Sequence, residues 1–377
     1  MAQKKGDSTS TILEAHSRAK VELFKVYLGT YLNILERAEH IDHLKFFDLC
    51  AGEGVYVDGG KGSPVMIMET IKNHFFENQK KCIPIDVFLN DPGMSQIEPD
   101  RRKIDRVRDA VDKLFRPSSV KVHYGASGYT EILKDVKEQV SKLKSSERAI
   151  VFIDPWGYKD IKPDDLIKLM QNKRTEVLLF LPTGDMHRFA DKSLSDADFP
   201  GGTPLRNFLT ALYGASTPDS STSLAFADSL LKRFRLLPDI QFADKFTLER
   251  DKGRYFCLYF FTSHPLGLQK MVEAKWAMDE KNGRGFRLPD PQGSLFDGYQ
   301  HSDYPELLRT ELAQRVGKTN VELKLFGLEQ GYLPKHTKEL LQQWKDQGIL
   351  EIESLDGFSV KGFYLDNDKR TIKVKLI

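Results

Sequence analysis

HLKFFDLCAGEGVY, His43 to Tyr56, is a short apolar run that ends abruptly in a turn with two glycines. Its length and its glycine boundary read as a buried strand rather than a helix. Working outward, the same unit repeats. Helix SPVMIMETIKNHFFENQK follows, with Ser63 as its cap and Pro64 at the first helical position. Next come strand PIDVFLND, helical DRRKIDRVRDAVDKLF, strand VKVHYGAS, helix TEILKDVKEQVSKLK, strand AIVFIDP, helix KPDDLIKLMQ and strand TEVLLFLPTG. Strands that alternate with helices five times predict a parallel sheet with helices on both faces.

Upstream, Ser17 to Arg37 reads as an amphipathic helix, because Val21, Phe24, Leu28, Tyr31, Leu32 and Leu35 recur at helical spacing. Downstream, a polar Gly/Pro/Ser-rich excursion at 191–223 precedes a helix near LAFADSLLKRF. Strands FADKFTLER and RYFCLYFFTS then flank Asp251-Lys252-Gly253, a hairpin turn signal. Parallel units closed by one antiparallel hairpin are the strand plan of the Rossmann-like class I S-adenosylmethionine methyltransferases. A dehydrogenase would continue with a sixth parallel strand. KNGRGFRLPDPQGSLFDGYQHS reads as a linker. After it, YPELLRTELAQRV, TNVELKLFGLEQG and HTKELLQQWKDQ predict helices, Gly348 a stop, and ILEIE and RTIKVKLI two strands, an order that suggests a winged helix. The expected domains are an N-terminal helical segment (1–40), a Rossmann-like domain (41–290, with 191–223 a variable insertion) and a winged-helix-like domain (303–377).

Composition excludes more than it assigns. A formal charge of +2 over 377 residues neither demands nor excludes nucleic acid. The N-terminus lacks the apolar stretch of a signal peptide, and no run approaches a membrane span. The three cysteines are widely spaced, with no CxxC pair, so a zinc or disulfide framework is not expected and a cytoplasmic setting is.

The candidate site residues cluster at predicted strand ends. After the first strand, Asp48, Ala51, Gly52 and Gly54 form a turn whose glycines would let backbone approach a ligand, with Asp48 placed to bond a ribose or amino group. GGKGSP fails as a phosphate loop, since Gly62 stands where Ser or Thr should bind magnesium. Asn90 and Asp91 end the second strand, where such side chains reach ribose hydroxyls, though an Asn-Asp-Pro-Gly turn is the plainer reading. Gly125-Ala126-Ser127 offers small residues beside an adenine position. Asp154-Pro155-Trp156-Gly157 ends the fourth strand, facing the first turn. A carboxylate and a flat ring there can hold an amino group with its lone pair aimed at a sulfonium methyl, so that positioning and desolvation do most of the work. Trp156 as a core residue is the alternative. Asp185 and His187 lie where a substrate mouth would be. Lys335, His336, Lys338, Lys345, Lys369 and Arg370 mark the last helix and strand, suited to phosphate contacts if that unit meets nucleic acid. Acids nearly balance bases there, so packing on a partner is the rival reading.

The chain resembles the three-Cys-motif partner proteins, a bacterial family of methyltransferase-like proteins. The matching pieces are HSRAKVELFKVYLGTYLNIL, FFDLCAGEGVYVDGGKGSPV, FLNDP, FIDPWGY, TEVLLFLP, FFTSHPLGLQKMVEAKW and KHTKELLQQWKDQGIL. The resemblance implies an S-adenosylmethionine-binding domain, with Gly52 and Gly54 facing the methionine part, Asn90 or Asp91 the ribose, and Asp154 nearest the methyl. It also implies a role for His16 and Lys20 in covering the cofactor, and a partner protein carrying a three-cysteine motif. The chain departs from the family's usual acid at Asn90 and from the Asp/Asn-Pro-Pro-aromatic pattern at Trp156-Gly157. Two expectations follow: an enzyme that methylates an amino group of nucleic acid, or a methyltransferase-fold scaffold with little catalysis.

Overall fold

The computed structural model describes residues 11–78, 83–155, 157–251, 253–280, 283–288, 304–315, 317–355, 357, 360, 362–366 and 368–376. Trp156, Cys82 and most of the expected 281–302 linker lie outside the described residues. The chain divides into two compact units: one runs through His264 and includes Phe286–Leu288, and the other holds Pro265–Gly285 and the described residues from 304 onward.

The first unit contains α1 (Ala15–Leu35), β1 (His43–Asp48), α2 (Ser63–Asn78), β2 (Ile85–Asn90), α3 (Lys103–Asp112), β3 (Val120–Gly125), α4 (Tyr129–Ser141), β4 (Glu147–Ile153), α5 (Pro163–Met170) and β5 (Thr175–Leu181). It continues with α6 (Thr183–Ser195), α7 (Thr203–Tyr213), α8 (Ser223–Phe234), β6 (Phe242–Asp251) and β7 (Arg254–Thr262). The strands lie in the order β3-β2-β1-β4-β5-β7-β6, with Phe286 of the short β8 (Gly285–Phe286) beyond β6. Strands β1 to β5 pair in parallel, and β7 runs antiparallel to both β5 and β6. This mostly parallel, hairpin-closed sheet is the Rossmann-like plan that the alternation predicts. The strand order reverses at β1, whose neighbours are β2 and β4, so a crevice opens beyond their carboxyl ends.

Period-two alternation sends successive side chains of each strand to opposite layers. Phe152 faces α1 and stacks on Phe24 at 4.9 Å, while Val151 and Ile153 join the core under α4 and α5. All seven residues of β5 are buried, as a central parallel strand covered on both faces requires. The excursion expected at 191–223 is mostly helix: α6 runs to Ser195, and α7 buries Leu205, Phe208, Leu209 and Leu212. Those four sit at i, i+3, i+4 and i+7, so they form one apolar stripe that closes the core.

The second unit contains α9 (Pro265–Met278), α10 (Tyr304–Ala313), α11 (Asn320–Glu329), α12 (Pro334–Asp346), β9 (Leu350–Ser354) and β10 (Ile372–Leu376). The first break between the units comes after His264, ahead of the boundary expected near residue 290, and Phe286–Leu288 return to the first unit. Trp276 of α9 donates its indole N–H to the Gly331 carbonyl at 2.9 Å and packs on the His336 ring at 4.2 Å, which ties α9 to α11 and α12. A capping box at Thr319 and Glu322 starts α11, and Gly348, with φ of 68°, ends the turn after α12. Strands β9 and β10 pair antiparallel. Among the described residues, no helix is long and apolar enough to cross a membrane.

Candidate functional site

A cavity of about 650 Å³ lies at the carboxyl ends of β1, β4 and β5. That volume falls in the usual range for small-molecule and cofactor sites, roughly 300–1,000 Å³. The turn after β1 (Cys50 to Glu53), Asp91 after β2, Asp154 and Pro155 after β4, and Asp185 on α6 all line it. His16 and Lys20 line it from the first turns of α1, and Leu13 from the segment that precedes the helix. The glycine turn and the Asp154 segment, over a hundred residues apart in sequence, thus face one hollow.

Each wall has a local cause. Gly52 has a φ of 66°, a left-handed conformation that bends the β1 turn so that its backbone borders the cavity. Gly52 N–H donates to Asp91 Oδ2 at 2.9 Å, and Gly93 N–H to Oδ1 at 2.8 Å. Burial raises the Asp91 pKa, while Lys103 and these two donors oppose the rise. Each Asp91 oxygen keeps a second lone pair with which to accept from a ligand. Glu53, which sequence reasoning passed over, accepts from Ser95 Oγ and Gln96 N, both at 2.8 Å, and from Arg106. It anchors the turn to the loop before α3.

Three expected cofactor contacts are engaged elsewhere. Asp48 is buried behind the turn, outside the cavity lining. It accepts from Ser63 Oγ at 2.6 Å and from Cys50 N at 3.3 Å, and burial pushes its pKa to about 7. Ser63 is itself the first residue of α2, so its hydroxyl braces Asp48 instead of capping the helix. Asn90 also stands outside the cavity lining. Its Nδ2 donates to the Leu49 carbonyl at 3.1 Å and the Ser127 carbonyl at 3.0 Å, and its Oδ1 accepts from Ser127 N at 2.9 Å. Asn90 therefore joins the loops after β1 and β3, and Ser127 serves through its backbone, outside the cavity lining. Gly125 is small for the same reason, since a Cβ there would lie 2.9 Å from Asn90 Oδ1. Gly54 also stands outside the lining. Its φ is 74°, and a Cβ would come within 3.2 Å of the Val107 backbone, so it lets α3 pack against the turn.

Asp154 is matched from inside the chain. Lys20, its side chain only 7% exposed, reaches from α1 to form an ion pair with Asp154 Oδ2. The Lys20 Nζ stands 4.2 Å from the centre of the Phe180 ring. His16 stacks on Phe256 at 5.0 Å, and Phe256 on Phe180 at 5.0 Å. Neither phenylalanine announces itself in the sequence, because each reads there as an ordinary strand residue. His187, by contrast, hydrogen-bonds the Ser220 carbonyl at 3.0 Å and does not line the cavity.

In the second unit, Lys335, Lys338, Lys345, Lys369 and Arg370 are exposed. His336 is not. Its Nδ1 accepts from Leu333 N at 3.2 Å, and burial, aided by the adjacent Lys335, drives its pKa down to about 4. A buried neutral imidazole makes no phosphate contact, so His336 belongs to the core.

No family model and no curated protein matches the chain. Among solved structures, a loganic acid methyltransferase with SAH is similar over 72% of this chain and 84% of that chain, at 12% identity and a TM-score of 0.28. So distant a likeness leaves the reading of the site to its own geometry.

Proposed function

We propose that this chain is an S-adenosylmethionine-dependent methyltransferase-like protein that acts on an amino nitrogen. One observation carries the reading: the cavity at the switch point joins the Cys50–Glu53 turn to Asp154 and Pro155. Asp91 would hold the ribose through its spare lone pairs, with the Ala51–Gly52 backbone beside the amino-acid portion of the cofactor. When bound, the cofactor supplies an electrophilic methyl on its sulfonium. The chain's own part is to position the acceptor. Asp154 accepts from the acceptor's N–H groups, and the Phe180–Phe256 wall excludes water from that side.

A nucleic-acid acceptor rests on different ground, the exposed Lys335, Lys338, Lys345, Lys369 and Arg370 and the helices-then-ribbon order of a winged helix. Membership of the three-Cys-motif partner family, and with it a partner protein carrying that motif, rests on the collinear motifs alone.

Calorimetry on the full chain tests the core of the proposal. We expect S-adenosylmethionine and S-adenosylhomocysteine to bind, and Asp91→Ala to weaken both by at least tenfold. Failure of both to bind the native chain would sink it. A scaffold without turnover is the second reading, favoured because Lys20 already satisfies Asp154. It stands if labelled cofactor binds yet transfers nothing to DNA, RNA, protein or small amines.

A further inference from the structure

One wall of the cavity is built for positive charge. Burying a lysine ammonium is costly unless it is paired, yet Lys20 Nζ is held there by Asp154, by the Phe180 ring at 4.2 Å and by the Phe152 ring at 6.0 Å. The stacked rings of Phe180, Phe256 and His16 continue that surface along the lining. A second carboxylate, Asp185, borders the same cavity and has no hydrogen-bond or ion-pair partner for its side chain among the described residues. Of the other cations in the lining, Arg250 faces Glu14 at 3.6 Å and lies over the Phe256 ring at 5.8 Å, Lys103 acts on Asp91, and Lys159 is exposed.

We infer that this wall is an ammonium subsite for a flexible aliphatic amine, with Lys20 as the occupant that the chain itself supplies at the Asp154 end. The identification of this amine as the methyl acceptor rests on the function proposed above. A carboxylate set against aromatic faces favours a cation over a neutral group. A nucleobase amino group would bring no charge to the rings or to Asp185, whereas an aliphatic amine arrives protonated at neutral pH. For transfer, the ammonium would first have to release one proton to solvent; its freed lone pair would then form the new N–C bond, with the electrons of the broken S–C bond remaining on sulfur as a neutral thioether.

Chemical rescue tests the subsite without turnover. In the full-length Lys20→Ala variant, n-butylammonium should bind at least tenfold more tightly than n-butanol, and the preference should vanish in Lys20→Ala/Asp154→Ala. Equal affinity for the two probes, or no binding of either, overturns the inference. If Lys20→Ala does not fold, 1,4-diaminobutane is titrated into the native chain and into Asp185→Asn. At least fivefold weaker binding to Asp185→Asn supports the subsite, and equal affinity or no binding overturns it. A chain that binds cofactor and methylates oligonucleotides but no aliphatic amine also overturns it. A chain that takes the ammonium probe but no S-adenosylmethionine refutes the proposed function and leaves the subsite standing.

Discussion

Asn90→Asp separates a ribose-binding side chain from a loop staple, because the two roles predict opposite results. The substitution keeps size and shape and exchanges the Nδ2 donor for a carboxylate oxygen. That oxygen would then face the Leu49 and Ser127 carbonyls, now 3.1 and 3.0 Å from a donor. Two hydrogen bonds are lost and two buried acceptors are left unpaired, at roughly 1–3 kcal/mol for each group. An anion buried against two carbonyls adds to this, and the Asn90 site is 2% exposed. The expected loss is about 3–5 kcal/mol at pH 8. It should shrink as pH falls and the new carboxyl takes up a proton, since the protonated acid regains one donor. Urea denaturation at pH 8 and pH 5, followed by tryptophan fluorescence, measures both numbers. The reasoning is refuted if Asn90→Asp matches the native chain within about 0.5 kcal/mol while binding S-adenosylmethionine more tightly, for then residue 90 faces the ribose.

Two further outcomes follow from groups placed around the same turn. Burial raises the pKa of Asp48 to about 7, so the folded state holds this proton more tightly than the unfolded one, and stability falls as pH rises from about 4 to about 7. Asp48→Asn should remove roughly 2–3 kcal/mol of that slope between pH 5 and pH 8, read as urea midpoints at the two values; an unchanged slope would show that Asp48 is ionised throughout. Gly54→Ala should cost about 2–4 kcal/mol, from a φ of 74° and a Cβ within 3.2 Å of the Val107 backbone. Its folded fraction should bind cofactor as the native chain does, and a tenfold weaker Kd with unchanged stability would instead place Gly54 on the ligand.

Most of the sheet was legible because its strands obey one physical rule. Central parallel strands are buried on both faces, so they read as unbroken apolar runs such as TEVLLFL, and the helices between them keep a 3.6-residue period. The miss at α7 had a signal. Leu205, Phe208, Leu209 and Leu212 carry the helical period, but the glycines, prolines and serines on either side dominate the composition of 191–223. The unit boundary at His264 had none, since it is set by what α9 packs against, and Trp276 names neither Gly331 nor His336 in advance.

The site divides along the same line. A strand-end position follows from local pattern, so Asp91 and Asp154 could be placed at the crevice from sequence. Which way a polar side chain turns there depends on backbone brought in from elsewhere. Asn90 finds its partners at Leu49 and Ser127, 41 and 37 residues away, because a buried amide without them would lose several kcal/mol. Asp48 is held by Ser63 in the same manner. Of the polar groups that end β1 and β2, Asp48 and Asn90 therefore build the rim, and Asp91 is left to face the hollow with lone pairs to spare. Lys20 and Asp154, 134 residues apart, are another pair whose meeting the local pattern could not foretell. Under the proposed function, their contact places an ammonium where the nitrogen acceptor would sit, which would tie α1 to the chemistry at the sheet.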